Sequence, residues 1–264
     1  MSKALDVNRP SRLNMLREGR ALMEFGAAGL MMPLLMRAPK GDGHPVMVLP
    51  GFLASDRSTG LLRTFLKMKG YQAVGWGLGR NMGTHIVGGK NLLSDQLLNQ
   101  VIELHVRHDC KVSLVGWSLG GILAREIARV IPDCVRQVVS LGSPFNGPKG
   151  AAPVAARIFQ LINGDMTERE AGAMERMLKP PPVPSSAIYS RTDGIAHWQA
   201  CRDDWVHESA FAENIEVRGS HMGLGHNPQV MWIIANRLAQ PANQWQPFRQ
   251  KLLHKMLYPN PERA

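Results

Sequence analysis

From about residue 43 onward, short apolar runs alternate with longer segments whose apolar residues recur every three or four positions. Short apolar runs are typical of buried strands, and the longer pattern is typical of amphipathic helices. Their alternation predicts an α/β fold, a mostly parallel sheet of about six strands flanked by helices. We expect strands at 46–49, 73–76, 112–116, 135–141, 187–190 and 215–217, and helices at 59–69, 92–108, 119–131 and 227–238.

The interval between the fourth and fifth predicted strands is too long for an ordinary loop, at roughly forty residues. Within it, 154–162 and 168–178 have helical apolar spacing, and Thr167 with Glu170 forms a capping box for the second segment. We therefore expect a small helical cap at 146–186, inserted over the sheet.

The first 42 residues do not share the alternation. Their apolar stretch at 25–36 follows Glu24, is interrupted by Pro33, and is too short to span a bilayer. It begins late and lacks a small-residue cleavage site, so a secretion signal is not indicated. We expect 1–42 to be a helical extension, buried or interfacial, that packs on or beside a main domain at 43–264.

The charge of the chain is strongly basic, with a net value of +10 and a pI near 9.9. Such a charge suits an anionic partner, either nucleic acid or a membrane surface. No Lys/Arg block, zinc-ligand spacing or RNA-recognition motif is present, so we expect no nucleic-acid binding. Basic residues gather near both ends, and apolar residues recur at helical spacing from Trp245 onward. This pattern predicts weak membrane-surface association, or alternatively a terminal helix docked on the core.

The three cysteines, Cys110, Cys134 and Cys201, cannot pair completely and show no CxxC spacing. They suit a reducing compartment, so we expect a cytoplasmic location, with peripheral membrane contact as the variant. His105 and His108 could ligate a metal from one helix, but no HExxH pattern accompanies them. We expect no metal and no cofactor, and the sequence leaves the oligomeric state open.

The segment "LVGWSLGGILAREIARVIP", which begins at Leu114, passes from strand pattern to helix pattern at Ser118. A sharp strand-to-helix turn lifts a side chain above the carboxyl edge of a sheet, where a substrate can reach it. Gly116 and Gly120 stand two residues on either side, which relieves the crowding of such a turn. The helix that starts there also directs its free N–H groups toward any oxyanion that forms beside Ser118. This context makes Ser118 a candidate nucleophile.

A serine nucleophile needs a base, and the base needs an acid that orients it. Asp193 in "SRTDG" and His221 in "GSHMGL" each follow a predicted strand, in the chain order Ser, Asp, His. Taken singly, Asp193 also fits an Asp-Gly turn and His221 also fits a hydrogen-bonded loop histidine. The competing residues His226, Asp203 and Asp204 are not placed directly after a strand, and we rank them lower.

Further site residues follow from the same frame. The first predicted strand runs into Pro50-Gly51, so the backbone N–H groups of Phe52 and Leu119 are candidate oxyanion-hole donors. For substrate binding we name Trp117, Phe145 and Met177.

The motifs "LPGF", "GWSLGG", "LGSPFNG", "SRTDG" and "GSHMGL" together resemble the α/β-hydrolase superfamily, in its bacterial lipase and esterase branch. The resemblance covers roughly 45–238; the first forty and last twenty-five residues have no counterpart in it. It implies a Ser118–Asp193–His221 triad that hydrolyses acyl esters through an acyl-enzyme. Where many lipases carry His-Gly, this chain has Pro50-Gly51, which keeps the backbone donors and removes one supporting side chain.

We therefore expect a serine carboxylester hydrolase that acts on acyl chains of moderate to long length. An acyltransferase or a thioesterase would use the same triad, because the groups that select the acceptor are a matter of pocket shape. A hydrolase-fold protein that binds a ligand or membrane without turnover is the alternative of another class.

Overall fold

The computed structural model describes residues 10–85, 93–146 and 178–249. The predicted cap at 146–186 therefore lies mostly outside the described residues, as does Met177. The predicted end of the cap is too late, because Ser185 and Ser186 already belong to the fifth strand of the sheet. The N-terminal part of the described chain forms three short helices joined by a 3₁₀ turn at Arg17–Arg20. These helices are α1 (Arg12–Leu16), α2 (Ala21–Leu30) and α3 (Met32–Leu35).

The sheet has six parallel strands in the order β2-β1-β3-β4-β5-β6, which confirms the predicted fold class. The strands are β1 (Pro45–Leu49), β2 (Gln72–Gly75), β3 (Val112–Trp117), β4 (Val135–Leu141), β5 (Ser185–Ser190) and β6 (Ala212–Val217). The last two begin earlier than the apolar pattern predicts. Their first residues include buried polar groups, and Ser186 Oγ donates to Glu213 Oε1 at 2.6 Å across the pair. Because these polar groups satisfy each other inside the sheet, hydrophobicity alone misses the starts of the strands.

The helices that flank the sheet lie close to their predicted positions. They are α4 (Gly60–Met68), α5 (Asp95–His108), α6 (Leu119–Val130) and α7 (Pro228–Leu238). Helix α5 starts later than predicted because Ser94 is its N-cap, with Oγ accepting from the Leu97 N–H at 3.4 Å. Asn227 caps α7 in the same way, accepting from the Gln229 N–H at 2.9 Å.

Two hydrophobic cores lie on opposite faces of the sheet. One contains side chains of α4 and α7, together with Ala28 of α2 and Leu35 of α3. The other contains side chains of α5 and α6. The N-terminal helices therefore pack on the α7 side, so that they reach the loops that follow the last strands.

The outward face of the N-terminal helices is apolar. Leu22 and Leu30 of α2 are 82% and 85% exposed, while Ala28 on the inward face is fully buried. Where the sequence predicts one buried or interfacial helix at 25–36, the structure has two, α2 and α3. Each has one face packed on the core, through Ala28 of α2 and Leu35 of α3. Among the described residues, no helix combines the length and the apolar character that crossing a membrane requires.

Candidate active site

Ser118 occupies the turn between β3 and α6. Its backbone has φ 53° and ψ −119°, a strained conformation for a residue with a side chain. The Ser118 N–H donates to the Leu141 carbonyl at 2.8 Å, which ties the turn to the end of β4. Such strain is held only where the surrounding structure enforces it, and it is often found at functional sites.

The two glycines that flank Ser118 are required by close backbone approach. A Cβ at Gly116 would overlap the Gly120 carbonyl, because α6 turns back tightly over the end of β3. A Cβ at Gly120 would lie 2.7 Å from the Pro50 carbonyl oxygen of the neighbouring loop. The glycine spacing predicted from the sequence therefore has a steric cause in the packing of β3, α6 and the loop after β1.

Asp193 and His221 form a buried pair. Asp193 Oδ2 lies 2.6 Å from His221 Nδ1, while Asp193 Oδ1 accepts from the N–H groups of Ile195 and Ala196 at 2.8 and 2.7 Å. The carboxylate thus closes a turn with one oxygen and holds the histidine with the other. The turn that the sequence allowed for Asp193 is present, and its role as the acid of a triad stays a prediction.

The electrostatic surroundings of His221 favour its charged form. Burial lowers the pKa of the imidazole, but the charge and hydrogen bond of Asp193, with a smaller contribution from Glu18, outweigh burial. The pKa of His221 therefore lies above the ordinary histidine value. These surroundings therefore stabilise the protonated imidazole of His221 relative to the neutral one.

Two contacts place the pair beside the serine turn. The indole Nε1 of Trp117, the residue before Ser118, donates to the His221 carbonyl at 3.0 Å. A Cβ at Gly142, just after β4, would lie 3.2 Å from both Asp193 Oδ2 and His221 Nδ1. The turns after β3 and β4 and the loops after β5 and β6 therefore meet at the carboxyl edge of the sheet.

The loop after β1 lies against the serine. A Cβ at Gly51 would lie 3.3 Å from Ser118 Cβ, which places the next residue, the half-buried Phe52, close to the turn. Buried Asn81 shapes this loop from the far side. Its side-chain Nδ2 donates to the Pro50 carbonyl at 2.8 Å, and its backbone carbonyl accepts from the Leu53 N–H at 2.8 Å. No motif in the sequence singled out Asn81.

Leu119 opens helix α6, where the first N–H groups of a helix have no partner inside the helix. Free backbone N–H groups next to a serine are the chemical requirement for an oxyanion hole. The proximity of Gly51 to Ser118 brings the Phe52 backbone to the same turn. The oxyanion assignment of Phe52 and Leu119 stays a prediction.

Two of the three predicted substrate-binding residues lie beneath the turn. Trp117 is 5% exposed, and its ring packs near those of His221 and His226. Phe145 is buried in a small cluster with Leu119 and under the guanidinium of Arg125, 3.7 Å from the ring centroid. Their contact with a substrate stays a prediction, as does that of Met177.

His226, the competing base, has a different environment. Its ring makes edge contacts with Trp117 and Phe25, at centroid distances of 6.2 and 5.4 Å. Burial lowers the pKa of His226 below the ordinary value. It is a packed histidine just before the N-cap of α7.

The two competing acids serve other contacts. Asp203 is buried and pairs with Arg125 Nη1 at 2.8 Å. Asp204 is exposed and accepts from Asn146 Nδ2 at 2.6 Å. These contacts fix the loop before β6 onto α6 and the turn after β4.

A second Ser–His–Asp arrangement lies near the amino edge of the sheet. His44 Nε2 is 2.7 Å from Ser113 Oγ, and His44 Nδ1 contacts Asp42, which also binds Arg136 at 2.7 Å. Ser113 is fully buried within β3, with regular strand pairing to β1 on one side. A substrate cannot reach a hydroxyl in that position, so residue types alone do not define an active site here.

The histidines of α5 are placed in its last turn. His105 Nδ1 lies 3.0 Å from the Cys110 carbonyl oxygen, a hydrogen bond that orients the ring. Within the part of the chain that the structure describes, no three His, Cys, Asp or Glu residues are grouped so as to hold a metal ion.

The sequence interpretation missed the residues of the N-terminal extension that contact the site. Glu18 and Glu24 accept hydrogen bonds from backbone N–H groups of the loops that carry Asp193 and His221. Side-chain-to-backbone contacts follow no residue pattern, so the only available signal was an acid, Glu24, next to an apolar stretch.

Comparison with known proteins gives partial sequence matches. No family model matches the chain. A triacylglycerol lipase of Pseudomonas fragi is 28% identical over 112 residues, covering 39% of this chain and 38% of the lipase. A triacylglycerol lipase of Burkholderia plantarii is 28% identical over 138 residues, covering 48% of this chain and 38% of the lipase. The matched region thus spans less than half the length of either relative.

The likeness in structure extends over more of the chain. A mature lipase of Bacillus licheniformis superimposes with a TM-score of 0.54 at 14% identity, covering 77% of this chain and 95% of that protein. At that identity the superposition establishes the fold. The chain therefore has an α/β-hydrolase fold, and part of its sequence is similar to the triacylglycerol lipases of Pseudomonas fragi and Burkholderia plantarii.

Proposed function

We propose that this chain is a serine hydrolase of carboxylic esters, with Ser118 as nucleophile, His221 as base and Asp193 as the acid that orients the base. The observation that carries the proposal is the 2.6 Å contact between Asp193 Oδ2 and His221 Nδ1. With Nδ1 held by the carboxylate, Nε2 is the ring nitrogen that can accept a proton from a serine. The similarity to triacylglycerol lipases supports an ester as the substrate.

In the first half of the reaction, Ser118 Oγ attacks the ester carbonyl carbon and its proton passes to His221 Nε2. The imidazolium is stabilised by Asp193, and the oxyanion accepts hydrogen bonds from the Phe52 and Leu119 N–H groups. Collapse of the tetrahedral intermediate breaks the bond to the alcohol oxygen, which takes the proton from His221. The product is an acyl-enzyme on Ser118 and a free alcohol.

In the second half, water attacks the acyl carbon while His221 again accepts a proton. Collapse breaks the bond to Ser118 Oγ, which recovers that proton from the imidazolium. The carboxylic acid leaves and the enzyme returns to its starting state. The cycle balances with ester and water alone and requires no cofactor.

We further propose an acyl chain of moderate to long length. Each buried methylene contributes about 0.8 kcal/mol when apolar side chains shelter it from water. The sequence at 146–186 is long enough and apolar enough for such a shelter, and Phe145 lies at its start, packed beside Leu119. Specificity constants are then expected to rise with acyl length up to a limit.

A panel of p-nitrophenyl esters from acetyl to dodecanoyl tests this proposal. We expect kcat/KM to rise through the octanoyl ester, and Ser118→Ala to abolish turnover of every ester. Ser113→Ala, which alters the buried Ser–His–Asp arrangement at the other edge, is the matched control and should retain turnover. Higher activity on acetyl than on octanoyl esters would contradict the chain-length proposal, and turnover by Ser118→Ala would contradict the nucleophile. Product analysis with an added alcohol or a thioester substrate separates hydrolysis from acyl transfer and from thioesterase activity.

We also propose weak, peripheral association with anionic membrane surfaces. The outward face of α2 exposes Leu22, Met23 and Leu30, while the nearby side chains of Arg17 and Arg37 are exposed as well. Apolar side chains flanked by cations suit the boundary of an anionic bilayer. The C-terminal part of this prediction begins at Trp245. The described residues 245–249 are not helical, which corrects the expected helical spacing there, and Phe248 packs against the core beside α7. Residues 250–264 lie outside the described residues.

Flotation with liposomes that contain anionic lipid tests the association. We expect co-migration that weakens as salt rises, and its loss in the Leu22→Asp/Leu30→Asp variant. Val106→Asp replaces an exposed apolar residue of α5, on the other side of the sheet, and should leave flotation unchanged. Equal flotation of both variants, or no co-migration of the unmodified chain, would contradict the proposal.

A further inference from the structure

The N-terminal extension places two carboxylates against the loops that hold the proposed acid and base. Glu18 Oε1 accepts from the N–H groups of Gly194 and His221 at 2.8 and 2.9 Å, and Glu18 Oε2 accepts from the Met222 N–H at 3.0 Å. A single side chain therefore binds the residue after Asp193, the histidine itself and the residue after it. Three N–H donors that converge on one carboxylate hold it in one orientation.

Glu24 and Arg20 extend the same contact. Glu24 accepts from the Ser220 N–H at 2.9 Å and from Ser220 Oγ at 2.7 Å, immediately before His221. Arg20 Nη2 donates to the Thr192 carbonyl at 2.9 Å, immediately before Asp193. The backbone next to each of the two proposed catalytic residues is thus bound on both sides by side chains of residues 18–24.

The packing between the extension and the loops is close at two glycines, and at Gly194 the neighbouring atoms are backbone. A Cβ at Gly194 would lie 2.8 Å from the Met15 Cα, and a Cβ at Gly223 would overlap the Glu24 carboxylate. These two glycines follow Asp193 and His221 by one and two positions. The loops therefore have a conformation that fits the extension, and the extension is built against the site.

We propose that Glu18 is a positioning residue, whose carboxylate joins the acid loop to the base loop and keeps Asp193 and His221 in register. This inference rests on the proposed function for its consequence in catalysis. The two loops are already joined where they leave their strands, because Ser190 Oγ donates to the Gly219 carbonyl at 2.7 Å. Glu18 adds a second link further along the loops, between Gly194, which follows Asp193, and His221.

The negative charge of Glu18 has a second effect on the base. Like Asp193, Glu18 stabilises the protonated imidazole of His221 and so helps to raise the pKa of His221. A base that works in its neutral form shows an acid limb in its pH profile at that pKa. Removing the Glu18 charge should move the limb to lower pH, because His221 with a lower pKa stays neutral down to a lower pH.

The other titratable or charged groups around this pair are of mixed sign. Among the residues that the structure describes, those that face the pair or the backbone next to it include Arg20 and Glu24 of the extension, His197 and Cys201 beside Asp193, and His226 of the same loop as His221. Glu24 pairs with Arg20 at 3.4 Å, so its charge is partly compensated. Glu18 binds only backbone N–H groups in the contacts described above, and its charge is the one that the substitution removes.

The test compares Glu18→Gln with Glu103→Gln, which removes a carboxylate from the exposed face of α5. Glutamine keeps the size of Glu18 and one acceptor oxygen, so the fold is retained even if Glu18→Ala does not fold. NMR titration of the His221 imidazole reads its pKa without any turnover, and the rate of fluorophosphonate labelling at Ser118 reads the reactivity of the site. We expect Glu18→Gln to lower the pKa of His221 and to slow labelling at the pH plateau, with kcat reduced more than KM is changed. Glu103→Gln should change neither the pKa of His221 nor the rate of labelling at Ser118.

An unchanged pKa of His221 and an unchanged labelling rate in Glu18→Gln would overturn the proposal, even if the variant melts at a lower temperature. A loss of thermal stability alone indicates a merely structural contact. If Ser118 of the unmodified chain does not react with the probe, the proposed function fails, while the titration of His221 still decides the electrostatic role of Glu18. The two failures are therefore distinct.

Discussion

Asp193 Oδ2 lies 2.6 Å from His221 Nδ1, and both side chains are buried at the carboxyl edge of the sheet. Each residue lies on a loop that follows one of the last two strands, and the two are 28 positions apart. The parallel pairing of β5 with β6 places the ends of those strands side by side, so the pair follows directly from the topology.

Asp193→Asn should reduce kcat on a short-chain ester by about 10⁴-fold while the fold is retained. The amide oxygen can still accept from the Ile195 and Ala196 N–H groups, but its NH₂ then faces His221 Nδ1 and stabilises the wrong tautomer. Steady-state kinetics and thermal unfolding measure the two effects. Asp204→Asn is the control, since Asp204 is exposed and contacts Asn146. Greater loss of turnover in the control would contradict the assignment of the acid.

His221→Ala should reduce turnover by about 10⁴-fold or more, because the members of a triad act as a unit. His226→Ala should act mainly on stability, since its ring fills space against Trp117 and Phe25. The two variants are compared by kcat at saturating ester and by the urea midpoint of unfolding. If the His226 variant loses more activity, the base has been assigned to the wrong histidine.

Much of the fold was predictable because buried parallel strands and amphipathic helices have distinct apolar periods. The strands before Ser118, Asp193 and His221 were all identified, and their ends then indicated one edge of a sheet. The early starts of β5 and β6 were not predicted, since Ser186 and Glu213 satisfy each other across the strands and conceal the apolar pattern.

The contribution of the N-terminal extension could not be predicted in the same way. Glu18 contacts residues 176 to 204 positions away, and each contact uses a backbone N–H that any residue type except proline supplies. In the loop sequences, such an interaction is accompanied only by the glycines Gly194 and Gly223, and glycine is equally typical of ordinary turns. The extension resembles nothing in the superfamily pattern, so the resemblance gave no indication either.

Gly120→Ala should destabilise the fold by several kcal/mol, about the cost of strain or overpacking in a close-packed interior. The new Cβ would lie within contact of the Leu49 and Pro50 carbonyls, which are backbone atoms and cannot move aside cheaply. Gly60→Ala is the matched control, because nothing lies within 4 Å of its Cβ and its φ of −58° is helical. Urea unfolding should show a gain of up to about 1 kcal/mol for the control. Similar stability of both variants would contradict the steric account of the serine turn.

Labelling with a fluorophosphonate followed by peptide mass spectrometry tests the central claim most directly. The probe reacts with a serine only where a base activates it and an oxyanion site stabilises the adduct. We expect one adduct on the peptide that contains Ser118, the same adduct in Ser113→Ala, and none in Ser118→Ala. Labelling at Ser113 or at any other serine with Ser118 unmodified, or no labelling of the unmodified chain, would contradict the account.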